Sequence, residues 1–189
     1  CLRAKIAPAD SHEGTASTGA HVFQGRGRFI NDHSVSVNGK VLNFKKAIIA
    51  TGGRAAVPDY PGLSSVSYLT NATIFNLTSL PESLCILGGG AVGLEMAQCF
   101  ATFGSRVTVV LRGPCLFHKS DQHAGAALTS ALEKDGVQFV YNANITNVTQ
   151  QKELSEGITI EYSSGSVSCS HLLIATGRTP NIEDLGLDL

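Results

Sequence analysis

Residues 84–112 read LCILGGGAVGLEMAQCFATFGSRVTVVLR, and this stretch decides the fold that the sequence predicts. Its first four residues form an apolar run, which is long enough for a buried strand of a parallel sheet. The pattern G-x-G-x-x-G follows directly, with Gly88, Gly90 and Gly93 in the glycine positions. Such a pattern is informative only between a strand and a helix, so the residues that follow it decide its meaning.

A helix is predicted after these glycines. Its apolar residues recur with the spacing of one helix face, and they are Val92, Met96, Cys99, Phe100 and Phe103. Gly104 occupies the position of a helix-ending glycine in the left-handed conformation. Residues 106–112 predict a second, β-branched strand. The stretch therefore predicts strand, turn, helix and strand, the order of a dinucleotide-binding unit, with a plain glycine-rich turn as the alternative.

Each glycine has its own physical role in such a unit. The first makes the tight turn, the second lets the backbone approach a pyrophosphate, and the third lets helix and strand pack closely. The unpaired amides at the helix N-terminus face the phosphates, and the helix dipole favours their charge. We therefore predict that residues 88–93 bind the pyrophosphate of a dinucleotide.

The end of the second strand indicates which dinucleotide is bound. An NAD site has Asp or Glu there to hold the ribose 2′-hydroxyl, but this chain has Leu111 followed by Arg112. A guanidinium matches a 2′-phosphate bidentately, whereas a carboxylate would repel it. His118 and Lys119 follow in a short loop and are expected on the other side of the same phosphate. The pattern favours NADPH over NADH. The missing Asp or Glu alone does not prove NADPH binding. The alternative is that Arg112 is a plain surface charge.

Composition excludes several classes of function. The formal net charge of the 189 residues is −1, so no basic field points to nucleic acid. Charged residues make up 15 %, below the roughly 25 % of typical soluble domains, which indicates extensive burial or a part of a larger body. No apolar run approaches the ~18 residues of a membrane span, and no signal peptide opens the chain. We predict a protein of the cytoplasm or an organelle interior that is not secreted, and the initial Cys1 suggests an earlier natural start.

The five cysteines indicate neither a metal site nor a disulfide framework. No two of them have the spacing of metal ligands. Cys85 and Cys99 fall on the expected core faces of a strand and a helix, where cysteine acts as a small hydrophobe. Cys115 lies in the loop after Arg112. An odd number of cysteines without a framework fits a reducing compartment.

Upstream of the glycines, the sequence predicts a small antiparallel meander. Residues 12–20 are rich in Gly, Ser and Thr and predict a loop. Strand character runs over residues 22–30, and Asn38-Gly39 is a typical hairpin turn. Residues 46–53 then predict a buried strand.

Downstream, the sequence predicts one more helix and five more strands. The helix spans residues 121–135 and ends at Gly136, with an inner face of Ala124, Ala127, Leu128, Ala131 and Leu132. The strands are expected over residues 137–141, 145–148, 157–162, 166–169 and 171–175. The middle three form a second meander, and the last returns to the parallel sheet.

A short repeat links the two meanders. Residues 47–53 read AIIATGG and residues 172–178 read LLIATGR, each after a meander. A glycine after the strand lets the backbone approach a cofactor at the carboxyl edge of the sheet, although a tight turn without a ligand is also possible. The chain is therefore predicted to hold the second half of one nucleotide-binding domain and nearly all of another.

These motifs resemble those of the pyridine nucleotide-disulfide oxidoreductases, flavoproteins such as glutathione reductase, dihydrolipoyl dehydrogenase and mercuric reductase. The resemblance begins near residue 22 and rests on IIATG at 48–52, GGGAVGLE at 88–95 and ATGRTPN at 175–181. The loop at 111–118 is most similar to the mercuric reductase branch. The resemblance implies an α/β fold: a Rossmann-like three-layer nucleotide-binding domain with an antiparallel meander, plus a partial FAD-domain segment.

The resemblance also implies a division of the chain. Residues 1–62 match the C-terminal part of the FAD-binding domain, and residues 63–81 match a connection. Residues 82–175 match the NAD(P)-binding domain, and residues 176–189 match the start of the return to the FAD domain.

Roles for single residues on the NADPH side follow from the same resemblance. Those that would cradle or line the pyrophosphate are Gly88, Gly89, Gly90, Val92 and Gly93. Arg112 matches the residue that binds the 2′-phosphate. His118 occupies a position often held by a second arginine, and its partial charge near neutrality would weaken or pH-tune this contact.

Other matched residues lie nearer to the flavin in the family. Glu95 matches a helix glutamate near the nicotinamide and flavin, with a dipole-stabilised helix carboxylate as the alternative. Gly177 matches a glycine over the nicotinamide, and Arg178 begins the return to the flavin domain. The positions that match neighbours of FAD are Gly27, Thr51 and Gly52.

Several parts of the family pattern are not found in these 189 residues. They are the redox-active C-x-x-x-x-C, both FAD fingerprints, and the dimerisation domain with its His-Pro. We therefore expect a central part of such an enzyme, inactive alone and with no catalytic residue or metal site of its own. In the intact protein, expected to be a homodimer, NADPH would reduce FAD and the flavin a disulfide. An NADH-linked, dihydrolipoyl dehydrogenase-like enzyme and a non-catalytic nucleotide-binding module are the alternatives, and the final acceptor is not predicted.

Overall fold

The computed structural model describes residues 4–5, 7–9, 11–117, 121–151 and 157–188. The chain forms two compact units, one of Cys1–Gly52 with Asn181–Leu189 and the other of Gly53–Pro180. The segment boundaries predicted from the sequence, and the cofactor assigned to each segment, stay predictions. Within the described ranges, no helix has both the length and the apolar character that crossing a membrane requires.

The helices with described bounds are α1 (His12–Ser17), α2 (Ala91–Phe103) and α3 (Gln122–Lys134), and short 3₁₀ turns lie at Leu63–Ser65 and Ile74–Asn76. The strands are β1 (Gly27–Asn31), β2 (Ser34–Val37), β3 (Lys40–Asn43), β4 (Gly53–Ala55), β5 (Ser83–Leu87), β6 (Arg106–Val110), β7 (Gln138–Val140), β8 (Ile145–Gln150), β9 (Ile158–Tyr162), β10 (Gly165–Cys169), β11 (His171–Ile174) and β12 (Arg178–Pro180).

A four-stranded parallel sheet is the centre of the second unit. Its strands lie in the order β11, β5, β6, β7. Every residue of β5 is buried, which is why this strand reads as one continuous apolar run rather than as an alternating pattern. The strand, turn, helix and strand predicted for residues 84–112 are confirmed, and so is the return strand beside the first.

The parallel sheet is covered on both faces, and β5 shows how. Cys85 and Leu87 pack into the core that the sheet shares with the antiparallel sheet of β8, β9 and β10. Leu84 and Ile86 point the other way, into the core shared with α2 and α3. This arrangement of meander, parallel sheet and helices is the Rossmann-like three-layer α/β fold that the sequence predicts.

Helix α2 has its predicted length, and its predicted inner face is partly correct. Met96 and Phe100 pack against the core as predicted, whereas Val92, Cys99 and Phe103 are exposed. The buried residues are Gly93, Leu94 and Ala97, so the inner face is shifted toward residues that include a glycine and an alanine, which let the helix approach the sheet closely. Gly104 ends the helix with φ 105°, as predicted.

The inner face predicted for helix α3 is also partly correct. Asp121 caps the helix, since its carboxylate accepts hydrogen bonds from the amides of His123 and Ala124 at 2.9 and 3.0 Å. Leu132 is buried and Leu128 packs against the core as predicted, but the three alanines assigned to the inner face are exposed, and Gly125 is buried instead. The glycine is required because a Cβ at Gly125 would overlap the backbone of Leu116.

In the first unit, the meander of β1, β2 and β3 is confirmed. Asn38 and Gly39 have φ values of 49° and 79°, as a two-residue hairpin turn of type I′ requires. The Asn38 side chain also donates to the carbonyl of Gln24 at 2.8 Å.

Two predictions for this unit are wrong. Residues 12–17 form α1 rather than a loop, because Ser11 caps the helix by accepting the amide of Gly14 at 2.9 Å. The buried strand expected at residues 46–53 is not formed, and Ile48 is 92 % exposed. No strand in the described part of this unit pairs with that run, and Ile48 and Ile49 line a cleft instead of entering a core. The helix tail expected in residues 1–11 falls largely outside the described residues.

The pH dependence of stability tests the burial of His171 at the start of β11. Burial lowers the pKa of His171, and its Nδ1 lies 3.0 Å from the Ser170 hydroxyl. In the unfolded chain, the His171 side chain binds its proton near pH 6.5. The contribution of His171 to the free energy of unfolding is therefore fully present above that pH, and it is lost as the pH drops through the pKa of the folded state. We expect the melting temperature of His171→Gln to fall less than that of the wild type between about pH 7.5 and 5.5.

Thermal unfolding followed by circular dichroism measures this difference. The matched control is His123→Gln on α3, where the histidine is exposed, and it should keep the wild-type dependence. Parallel curves for the wild type and His171→Gln would contradict the prediction.

Candidate functional site

The glycine loop leaves the end of β5 and is shaped by close backbone contacts. Gly88 has φ 111°, and a Cβ atom there would overlap the carbonyl oxygen of Ala175. A Cβ at Gly93 would overlap the carbonyl oxygen of Gly88. Gly90 differs, since a Cβ there would meet no described atom within 4 Å. Two glycines therefore fix the loop, and the middle one leaves open space in front of it.

The N-terminus of α2 faces this open space. Gly90 is its N-cap residue and provides no side-chain hydrogen bond to the helix. The first bond inside the helix runs from the amide of Leu94 to the carbonyl of Gly90 at 3.0 Å. The preceding amides have no acceptor within the helix, so this end is chemically suited to an anion.

A cleft of about 370 Å³ lies beside the loop. It is bounded by the glycine loop, the loop after β6, the turn after β7 and the residues after β11. The described residues that line it are Tyr60, Leu87, Gly88, Gly89, Gly90, Val110, Leu111, Arg112, Gly113, Cys115, Leu116, Phe117, Ala143, Ile145, Ala175, Thr176 and Gly177. They include one cation, Arg112, and no carboxylate, so the described wall of the cleft favours an anionic ligand.

A smaller cavity of about 160 Å³ lies on the other side of the loop. Its lining includes Asn71, Val92 and Arg178, and it shares Gly90, Ala175 and Gly177 with the larger cleft. The two cavities therefore meet at the glycine loop. A ligand with two bulky ends and a diphosphate in the middle matches this arrangement.

The structure brings most of the predicted NADPH-side residues together. Gly88, Gly89, Gly90, Arg112 and Gly177 line the larger cleft, and Val92, Gly177 and Arg178 line the smaller cavity. Gly93 lies beneath the loop. Glu95 is exposed on α2 and lines neither cavity, and His118 lies outside the described residues.

The segment after β11 is fixed by hydrogen bonds to the segment around β4. The Thr176 hydroxyl donates to the carbonyl of Ala56 at 2.6 Å, and the amide of Ala56 donates to the carbonyl of Gly177 at 3.0 Å. The Arg178 guanidinium donates to the carbonyl of Gly53. The Arg178 side chain therefore connects β12 to β4 by a hydrogen bond, and its position in the motif does not reveal this role.

The residues predicted near FAD lie in the first unit. Gly27 and Thr51 line a cleft of about 460 Å³, and Gly52, with φ 70°, does not. The Thr51 hydroxyl donates to the carbonyl of Asn181 at 2.5 Å, and the Asn181 amide group donates back to the Thr51 carbonyl at 3.1 Å. This threonine is held in internal hydrogen bonds, and the FAD contacts assigned to these residues stay a prediction.

Sequence reasoning missed several residues of the cleft. Tyr60 and Ala143 reach it from loops, and Ile145 reaches it from the first position of β8. No motif marks these three residues, and only their place in the fold reveals them. Thr176 could have been found, because the repeated Thr-Gly pair after each meander is visible in the sequence.

The thiols of the described cysteines are free, and two of them are neighbours. Cys85 and Cys169 are buried in the same core. A hydrogen bond with the Cys169 thiol and burial both raise the pKa of Cys85. A buried thiol with a raised pKa is a poor nucleophile, so Cys85 acts as a small core residue, as predicted.

Comparison with known proteins gives the same fold and names a family. The family model for pyridine nucleotide-disulphide oxidoreductases matches residues 10–189. The chain belongs to this family. The glycine loop, the parallel sheet and the ATGRTPN segment are thus elements of a pyridine nucleotide-disulphide oxidoreductase.

Individual relatives match only with part of their length. A mercuric reductase of Bacillus cereus is 34 % identical over 170 residues, which are 89 % of this chain and 27 % of that protein. The structure of the HOCl-induced flavoprotein disulfide reductase RclA from Escherichia coli matches with a TM-score of 0.76 and 30 % identity over 87 % of this chain and 38 % of that one. LpdA from Mycobacterium tuberculosis matches with a TM-score of 0.80 and 27 % identity over 97 % and 42 %. The chain spans well under half the length of these relatives.

Two alanine substitutions in the loop separate its structural glycine from its open one. Gly93→Ala should lower the free energy of unfolding by about 1–3 kcal/mol, because its Cβ overlaps backbone that cannot move aside. Gly90→Ala should cost less than about 1 kcal/mol, because its Cβ enters open space and alanine is only a poorer N-cap. Urea unfolding of both variants measures the difference, and equal losses would contradict it.

Proposed function

We propose that this chain is the NADPH-binding portion of a flavoprotein disulfide oxidoreductase. The observation that carries the proposal is one cleft that combines an uncapped helix N-terminus, a single guanidinium and no described carboxylate. Membership of the family, with mercuric reductases and flavoprotein disulfide reductases among the relatives, supports it.

In this proposal the backbone binds the diphosphate. The amides at the start of α2 donate to phosphate oxygens, and the open side of Gly90 admits them to close range. The positive end of the helix dipole adds an attraction that does not depend on any charged side chain. The nicotinamide half would extend into the smaller cavity, next to Val92 and Gly177.

Arg112 would choose between the two dinucleotides. It follows Leu111, which is buried under the glycine loop and packs against Gly89. The position that an NAD site reserves for a carboxylate is therefore filled by a leucine side chain turned into the core. The exposed guanidinium beside it can form paired hydrogen bonds with a 2′-phosphate.

The activity of the whole protein goes beyond these residues. We propose electron transfer from NADPH through FAD to a disulfide in a homodimer, but no step of it is derived from the described residues. The roles of Glu95, His118, Gly27, Thr51 and Gly52 stay predictions. So does the compartment, the cytoplasm or an organelle interior.

Replacement of Arg112 tests the choice of cofactor. Arg112→Ala should weaken NADPH binding by about 1.5–3 kcal/mol, roughly tenfold or more in Kd, because a charged hydrogen-bonding partner of the 2′-phosphate is lost. NADH binding should change little. Isothermal titration calorimetry of the 189-residue chain with both dinucleotides measures the two effects.

The matched control is Arg106→Ala at the opposite end of the same strand. Arg106 pairs with Glu82 and lies far along β6 from the cleft, so both affinities should be unchanged. Equal losses for NADPH and NADH in Arg112→Ala would reject the 2′-phosphate role and favour the NADH-linked alternative.

Gly90→Ala tests the diphosphate site independently of the ribose. Its methyl group would occupy the space through which phosphates approach the amides of α2. NADPH and NADH should both bind about tenfold more weakly or worse, since the loss of close hydrogen bonds to charged groups affects them alike. If a folded Gly90→Ala variant bound both dinucleotides as tightly as the wild type, the proposed diphosphate site at the N-terminus of α2 would be wrong.

A further inference from the structure

Tyr60 is an aromatic residue in the larger cleft that none of the motifs explains. It is half-buried, and its ring packs against the core between the parallel sheet and the meander. The same side chain lines the cleft opposite the glycine loop. Within the described part of the chain, no hydrogen bond of its hydroxyl is found. The side chain thus offers the cleft an aromatic surface and a polar group.

The backbone around Tyr60 is held rigidly against β8. The amide of Leu63 donates to the Tyr60 carbonyl at 3.1 Å, and the amide of Val148 donates to the Pro61 carbonyl at 2.8 Å. Gly62 has φ 80°, and a Cβ there would overlap the Val148 carbonyl oxygen. A ring fixed in this way loses little conformational entropy when a ligand binds against it.

Tyr60 and Arg112 both line the larger cleft. The lining also contains Ala143, from the turn after β7, and Ile145, the first residue of β8. That turn is tied to the Arg112 loop, because the amide of Ala143 donates to the Leu111 carbonyl at 2.8 Å. Tyr60 does not line the smaller cavity beyond the glycine loop.

We propose that Tyr60 contacts the adenine ring of the bound dinucleotide and positions the adenosine half in the larger cleft. The inference rests on the proposed function and adds the residue that receives the base. The lining also supplies aliphatic side chains, from Leu87, Ala143 and Ile145, and a second aromatic ring, from Phe117. A planar, weakly polar purine fits between aliphatic side chains and an aromatic ring, and stacking on an aromatic ring is favourable for every base.

Binding of 2′,5′-ADP tests this assignment, because this probe contains the adenine and the 2′-phosphate but no nicotinamide. Tyr60→Leu should weaken its binding to the 189-residue chain about tenfold. Tyr60→Phe keeps the ring and should stay within about threefold of the wild type. The control is Tyr68→Leu, since Tyr68 is also half-buried against the same core but lines neither the larger cleft nor the smaller cavity. It should bind the probe as the wild type does.

Tyrosine fluorescence supplies a readout that a purely structural role would not change. The chain contains four tyrosines and no tryptophan. The probe should quench the emission of the wild type, and this quenching should largely disappear in Tyr60→Phe while persisting in Tyr68→Phe. A Tyr60→Leu variant that binds the probe as tightly as the wild type would overturn the inference. So would losses in Tyr60→Leu and Tyr68→Leu that match each other.

The two proposals fail in different ways. If the wild type binds neither 2′,5′-ADP nor NADPH, the proposed function is wrong, and the adenine contact is wrong with it. If the wild type binds both and Tyr60→Leu weakens only NADPH, the proposed function stands and Tyr60 does not receive the adenine.

Discussion

The close approach of two backbone segments, Gly88 against Ala175, controls the geometry of the second unit. The amide of Ala175 donates to the Leu87 carbonyl at 2.8 Å, and the carbonyl of Ala175 lies where a side chain at Gly88 would be. The chain must therefore turn sharply as it leaves β5. Gly93 then packs on the Gly88 carbonyl and brings the first turn of α2 against the loop. Gly90, the N-cap residue of this helix, has no side chain to bond the helix amides, and the argument for a diphosphate site depends on those amides.

The elements that local sequence determines were predicted well. The glycine pattern, the stop at Gly104 and the hairpin at Asn38-Gly39 each require a backbone conformation that few other residues adopt. The strand β5 was also predicted, because burial on both faces gives it a continuous apolar run. The second meander was predicted because burial on one face gives its strands an alternating pattern. Most of the residues predicted to bind NADPH line the two cavities, since the motif itself specifies the loop that forms them.

The structural predictions that were wrong concern residues whose burial depends on neighbours distant in sequence. The apolar stripe of α2 was assigned to the core from its helical spacing, yet Val92 and Phe103 are exposed, and the small residues Gly93 and Ala97 are buried in their place. Ile48 reads as a buried strand residue, but burial requires a partner strand, and none in the described part of its unit provides one. The cleft residues contributed by loops, such as Tyr60 and Ala143, carry no local signal at all.

In the proposed function, backbone and side chains divide the work of recognition in this cleft. A diphosphate needs only amides and a dipole, so the helix N-terminus would bind it in either dinucleotide and set affinity without choosing between them. The choice would then fall on the few side chains that reach the ribose and the base. Because Leu111 is turned into the core, no carboxylate in the described wall would oppose a 2′-phosphate, and one guanidinium would suffice to favour it. A single exposed residue after a strand can thus change cofactor preference while the steric constraints on the glycine loop, and with them the fold, are unaffected.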